Sequence, residues 1–390
     1  MIDFRYHLVS LIAVFLALAL GILLGAGPLN QTIGDQLTGQ VEDLREDRDR
    51  LRAELDLATL QLERRDEYLD AVAAETLGSR LEGRAVAVIV LPDANADDVA
   101  DVRQRLTQAA ATITAEVTIT QAWTDPDAAT FRSSFAGQLA SYLEPPAGSA
   151  DPTDIVLGIA LGQALTRGDA EGEVVADAET LLDLLTSAEE PLVAVEDGPS
   201  RAANATVVVG PRPVHIDQDD VPEPDETRDD RYAAYIDLAR GLSATGEGSV
   251  LAGSARTEHD LLAQLRAEPE AAEAVTTIDS VDTVPGRLSV PLALASAIAG
   301  TTAHYGSGLD AGDLVPESVY LPPPAIPEGP EDGADDDGAV DGTLPEGDEP
   351  TDDAEADAGD DAPDADQGAA EPGTAGHGTP EHATAAQEAA

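Results

Sequence analysis

Leu8 to Ala26 reads LVSLIAVFLALALGILLGA, nineteen residues without a charged side chain. At 1.5 Å of rise per residue a helix of that length spans about 28 Å, close to the roughly 30 Å hydrocarbon core of a bilayer. The run is apolar on every face, and no other stretch of the chain matches it. It is therefore expected to be a transmembrane anchor over residues 8–26, with everything after it polar enough to live in water. Residues 1–7 carry Arg5 and the α-amino group against Asp3, and the next charge beyond the run is Asp35. The excess of positive charge on the N-terminal side predicts a cytoplasmic N-terminus and an extracytoplasmic body, so a single-pass protein of the cell envelope. The competing reading is a cleaved signal peptide. Its apolar region is normally 7–15 residues and ends in an A-x-A-like site. This run is longer, Leu24 stands three residues before a cut after Ala26, and Pro28 follows Gly27, so an uncleaved signal-anchor is favoured. His7 belongs to the membrane edge.

From Leu37 to Val72 the apolar spacing becomes a heptad. Val41, Arg48, Leu55, Leu62 and Leu69 occupy a; Leu37, Leu44, Leu51, Ala58, Arg65 and Val72 occupy d. Nine of the eleven seam positions are apolar, which predicts a coiled-coil stalk over 36–74 and a homo-oligomer formed through it. Asp47 and Arg52 offer opposite charges across the seam. The alternative is an amphipathic helix packed on its own domain.

Beyond Arg84 short apolar runs alternate with helical spacing. Ala85–Leu91, Ile113–Thr120, Leu192–Val195, Ala205–Val209, Ser249–Gly253 and Val275–Ile278 read as strands. Ala96–Ala111, Ala128–Leu143, Asp151–Thr166, Glu173–Ser187, Arg231–Leu242, Glu258–Ala267 and Gly286–Ala299 read as helices, with Asp151 or Thr153 capping the third. Residues 215–230 are acidic, carry proline and read as a loop. Alternation of this kind predicts an α/β domain over 84–325 with a mainly parallel sheet, in one sheet or two lobes. Gly158 and Gly162 are spaced for close helix packing.

Net charge is −55, every basic residue is arginine, and 21 of the 76 acids lie beyond Pro327. A field this negative repels nucleic acid and anionic headgroups. Residues 327–390 are Asp, Glu, Gly, Ala, Pro and Thr with few large apolar side chains, so no core offsets the cost of ordering, and a disordered acidic tail is expected. There is no cysteine, hence no disulfide, thiolate site or cysteine nucleophile.

Nothing in the chain spells a familiar catalytic motif. The phosphate loop needs lysine, and neither a nucleophile elbow nor a zincin helix is present. Two N-x-T sequons, at Asn30 and Asn204, are short enough to arise by chance. His259 falls on an expected solvated helix. The densest polar constellation is Asp279, Asp282, Arg287, His304 and Tyr305. Asp279 or Asp282 is placed to cap the helix that follows and Arg287 to pair with either. His304-Tyr305-Gly306 is expected to close that helix, with Gly306 as a left-handed C-cap. The structural reading is a capped, salt-bridged helix; the functional reading is a small polar site at the end of a strand. No catalytic residue is assigned. In the tail, His377, Glu381 and His382 are weak candidates for fast-exchanging Cu(II) or Zn(II).

The opening MIDFRYHLVSLIAVFLALALGILLG, the heptad after it, and the closing VDTVPGRLSVPLALASAIAG and HYGSG resemble the actinobacterial MctB family, the mycobacterial copper transport proteins. The resemblance covers about residues 1–310. It implies a non-enzymatic envelope protein of copper homeostasis, a family proposed to form outer-membrane channels that lower intracellular copper. The residues bear on how. Cu(I) prefers thiolate and thioether ligands, and the single methionine here is Met1. No tightly bound cofactor is expected, and copper is held weakly if at all. Long alternating strands with aromatic girdles, the mark of an outer-membrane barrel, are missing from the sequence. The alternative is an oligomeric envelope scaffold whose α/β head binds a partner or small ligand.

Overall fold

Val86 and Val88 point to one side of a strand, Ala87 and Ile89 to the other, and all four are fully buried. A strand apolar on both faces needs a layer of helices on each side, and the computed structural model has that arrangement. It describes residues 4–26, 28–145, 147–148, 151–187, 190–212 and 226–324.

Two helices lead into the head. α1 (Phe4–Ala26) contains the apolar run, and Phe4–Gly25 is long and apolar enough to cross a membrane with none of it buried. α2 (Pro28–Leu77) is one continuous helix of 50 residues. In the head follow β1 (Ala85–Val90), α3 (Ala96–Gln108), β2 (Thr112–Ile119), α4 (Ala129–Leu139), α5 (Thr153–Thr166), α6 (Ala176–Ser187), β3 (Val193–Asp197) and β4 (Ala205–Val209). The rest comprises α7 (Glu226–Ser243), β5 (Gly248–Ala252), α8 (Leu261–Ala267), α9 (Pro269–Ala274), β6 (Thr276–Ile278), α10 (Val284–Ile298) and β7 (His304–Tyr305).

The strands form one seven-stranded sheet in the order β3-β2-β1-β4-β5-β6-β7, not two lobes. Every pairing is parallel except β2–β3, where Val117 faces Val195 in an antiparallel edge. The end of α2, α3 and α10 cover one face, over Val86, Val88, Val207 and Val250. Helices α4 to α8 cover the other, over Ile89, Val117, Trp123 and Leu251. On that side α5 and α7 pack almost backbone to backbone. A Cβ on Gly158 would lie 2.6 Å from the Leu238 carbonyl oxygen, and one on Gly241 2.5 Å from that of Ile155. Gly162 is similarly blocked by Thr245. The small-residue spacing is helix packing.

Several expected boundaries move for local reasons. α5 starts at Thr153 with Pro152 before it and no side-chain cap; Asp151 instead accepts from the Gly148 amide at 2.6 Å. α7 begins at Glu226, inside the segment expected to be a loop, while 213–225 lie outside the described residues. Glu258 and His259 sit in a turn, and α8 begins only at Leu261. Pro269 then opens α9, a short helix the apolar spacing does not announce. At the other end, α10 stops at Ile298 and Gly300, at φ +85°, reverses the chain. His304 and Tyr305 therefore do not close that helix; they form β7, pairing with Thr277 and Ile278. The Asn204 sequon is used by the fold: its side-chain oxygen accepts from the Ala85 amide at 2.8 Å and its amide donates to Glu247 at 3.0 Å.

Candidate functional site

Parallel sheets gather loops and helix N-termini at the carboxyl ends of their strands. Asp279 is the residue after β6, at that edge, and it is completely buried. An isolated carboxylate there would be costly. It is matched by Arg266 from α8, whose side chain is equally inaccessible and whose Nη1 donates to Oδ2 at 2.9 Å. The other lone pairs are also taken. Oδ1 accepts from the Ser280 hydroxyl at 2.7 Å and the Ser307 amide at 2.9 Å, and Oδ2 from the Gly308 amide at 3.0 Å. Arg266 further donates to Thr277 Oγ1, to the Leu309 carbonyl and to the Tyr305 carbonyl. Gly306 has φ +122°, and a Cβ there would lie 2.3 Å from the Asp279 carboxyl group. It is a glycine because the carboxylate needs the space, not because it caps a helix.

His304 completes this network. Thr277 Oγ1 accepts from Arg266 Nε and shares a hydrogen bond of 2.9 Å with His304 Nδ1, the donor set by the imidazole tautomer. Burial, reinforced by the Arg266 charge, pushes the imidazole below its ordinary value. Burial also lowers the Arg266 guanidinium, with Asp279 opposing.

The other expected members go elsewhere. Thr283, not Asp279 or Asp282, caps α10, its hydroxyl accepting from the Gly286 amide at 3.2 Å. Asp282 pairs with Arg256 at 2.5 Å. Arg287 pairs with neither expected acid: Nη1 reaches Asp98 Oδ1 at 3.1 Å and Nε reaches Asp101 at 2.9 Å. Buried Asp98 also receives a two-pronged contact from Arg212, at 2.7 and 3.1 Å. The constellation therefore divides into a sealed Asp279–Arg266–Thr277–His304 network with Tyr305 in its backbone, and an Asp98–Arg287–Arg212 cluster at the start of α3. Arg266, Asp98, Arg212 and Arg256 were not legible as partners, because no local spacing connects them.

Three concavities lie on the same edge. A cleft of about 610 Å³ opens above Asp279, walled by Ser280, Thr283, Ser307, Leu314 and Val315, with Arg65 of α2 and Arg256 at its rim. Smaller hollows of about 290 and 240 Å³ flank Asp93, Arg231 and Tyr235, where the chain turns from β1 and β4 to opposite sides of the sheet. That is the topological switch point, the usual ligand position of such sheets. Among the described residues no three His, Cys, Asp or Glu side chains gather to hold a metal ion. His377, Glu381 and His382 lie outside the described residues.

Fold and site together define a stalked α/β head carried on an uncovered apolar helix, with the Asp279 network spent on structure. The chain matches the family described as copper transport outer membrane protein, MctB, over residues 1–316, and it belongs to that family. It is 32% identical over 321 residues to the copper transporter MctB of Mycobacterium tuberculosis strain H37Rv, an alignment covering 79% of this chain and 97% of that one. The Mycobacterium bovis protein of the same name is similar to the same extent. The Mycobacterium leprae protein is 29% identical over 326 residues, with the same coverage.

Proposed function

We propose that this chain is a single-pass envelope protein, N-terminus in the cytoplasm and head outside, that contributes to copper export and homeostasis without catalysing a reaction. The observation that carries the proposal is the uncovered Phe4–Gly25 helix joined to a stalk and head in a chain of the MctB family. Copper is its cargo rather than a resident cofactor. A tight Cu(I) site calls for sulfur ligands, and the chain has no cysteine. The donors gathered near the cleft are committed already, with Asp279 saturated and His304 Nδ1 engaged by Thr277. Any copper contact is weak and belongs to the acidic tail, at His377, Glu381 and His382. α1 works as an anchor, since a helix with Ser10 as its one polar lining residue between Leu8 and Leu24 makes a poor ion path.

The test is deletion of the gene in its host under copper load, with complementation by the full chain and by a chain ending at residue 326. Deletion is expected to raise cell-associated copper and the full chain to restore it. Unchanged copper and unchanged growth overturn the proposal. A second reading, an oligomeric scaffold whose head binds a partner or small ligand, is favoured by the apolar stripe on α2 and the cleft beside Arg65. It predicts stable co-purifying proteins and no copper phenotype.

A further inference from the structure

Seam residues Leu44, Leu51 and Leu55 are 67%, 59% and 66% exposed, an arrangement that leaves a long apolar stripe in water. Further along the same helix the head takes hold. Ala73 and Leu77 are fully buried, Leu69 packs on the same core, and Asp70 pairs with Arg105. At about 100° per residue, Leu37, Val41, Leu44, Arg48, Leu51, Leu55, Ala58 and Leu62 all fall within about 60° of the direction of Ala73. The head therefore grips the very face that carries the heptad.

This has a steric consequence. A partner helix lying on the stripe points at the underside of the head and has no room to continue past it. At that corner lies the cleft that Arg65 shares with Leu314 and Val315, which are 68% and 53% exposed.

We propose that the partner is a second copy of this chain, paired in parallel through Leu37–Leu62 only. The two stalks part near Asp66, where each helix is taken over by its own head, and the partner's upper stalk covers Leu314 and Val315. The inference rests on the reading of α2 as a self-associating stalk and adds its orientation, its number and its end point. Orientation follows from charge. In a parallel pair Asp47 at g meets Arg52 at e of the other copy, and Glu54 and Arg45 meet the neutral Thr59 and Gln40. An antiparallel pair would set acids at g against acids, and arginines at e against arginines. Number follows from the seam. Arg48 at a favours two strands, where a long charged side chain can reach water from the seam.

The absence of cysteine makes the full chain in detergent micelles a clean background for single-cysteine oxidation. Leu51→Cys and Leu55→Cys are expected to convert more than half of the chain to a disulfide dimer. Ala53→Cys, on the opposite face, and Leu69→Cys, an a position above the fork, stay at background. Light scattering gives twice the chain mass, and Leu55→Asp halves it with the melting of the head unchanged. Efficient cross-linking at Leu69 overturns the end point alone. A single-chain mass with no cross-link at any position overturns self-association itself, and neither result depends on the copper measurement.

Discussion

Asp279 and Arg266 show what a buried charge requires. Neither side chain touches water, and each is held by several hydrogen bonds besides the ion pair. Such a pair adds little over an apolar replacement of both partners, but removing one leaves the other unpaired. Arg266→Met is expected to cost about 3–5 kcal/mol, read as a lower urea midpoint at unchanged slope. Asp154, on α5, is the opposite case. Burial raises it to about 6, partly offset by Arg132 and aided by nearby Asp237. Its folded value lies above its unfolded one, so the folded state binds the proton more tightly. The stability it contributes is complete below about pH 4 and is lost as pH rises through 6. Asp154→Asn should therefore stabilise the protein by about 1–2 kcal/mol at pH 7.5 and by nothing at pH 4, measured as the difference in unfolding free energy at the two pH values.

Among the elements, α5 and α7 depend on having nothing where a side chain would be. Gly158 and Gly241 face each other at backbone contact, and both Cβ positions are blocked by main-chain atoms that cannot rotate away. Gly158→Ala or Gly241→Ala must push the helices apart and is expected to destabilise the head by about 1–3 kcal/mol, as overpacking does. Gly137, with open space around its Cβ, is the control: Gly137→Ala should be neutral or stabilising by a few tenths of a kcal/mol in the same thermal melts. α2 is governed by a different economy. Its upper turns are held by core contacts, while its lower turns display the same kind of residues exposed, with Leu44, Leu51 and Leu55 covered by none of the described residues, and the proposed second chain would complete the stripe.

On the scale of the whole molecule, the head is oriented by where α2 crosses it. Arg65 stands at the carboxyl edge of the strands, and Leu81, four residues before β1, bonds to the Ala109 carbonyl at the amino edge. The free length of the stalk thus leaves from the edge that holds the clefts. The chain past β7 travels the other way: Tyr320 stacks under Arg80 at 4.2 Å, and the Pro322 carbonyl accepts from Arg84 at 3.0 Å. In the proposed topology the clefts face the membrane side, and the last described residues, up to Pro324, lie on the far side. The complementation experiment belongs to this scale, because it asks whether residues 327–390 are needed once the head is in place.

Local patterning by itself determined the apolar helix, the heptad, the strand–helix alternation and the parallel character of the sheet. Each of these is written as a period of 3.6, 3.5 or 2 within a window of a few turns, and burial on one or both faces follows directly from that period. The sequence also marked Asp279, Arg287 and His304 as one polar group, since they flank one helix. Tertiary structure decided their partners. Arg287 answers to Asp98, 189 residues away, and Asp279 to an arginine on α8 that no spacing singles out. It made His304–Tyr305 a strand, because two residues carry no period and only the open edge of β6 gives them a ladder. It also decided that the head and the heptad share one face of α2. Periodicity tells which side of a helix is apolar, but not which of two apolar surfaces will cover it along each part of its length.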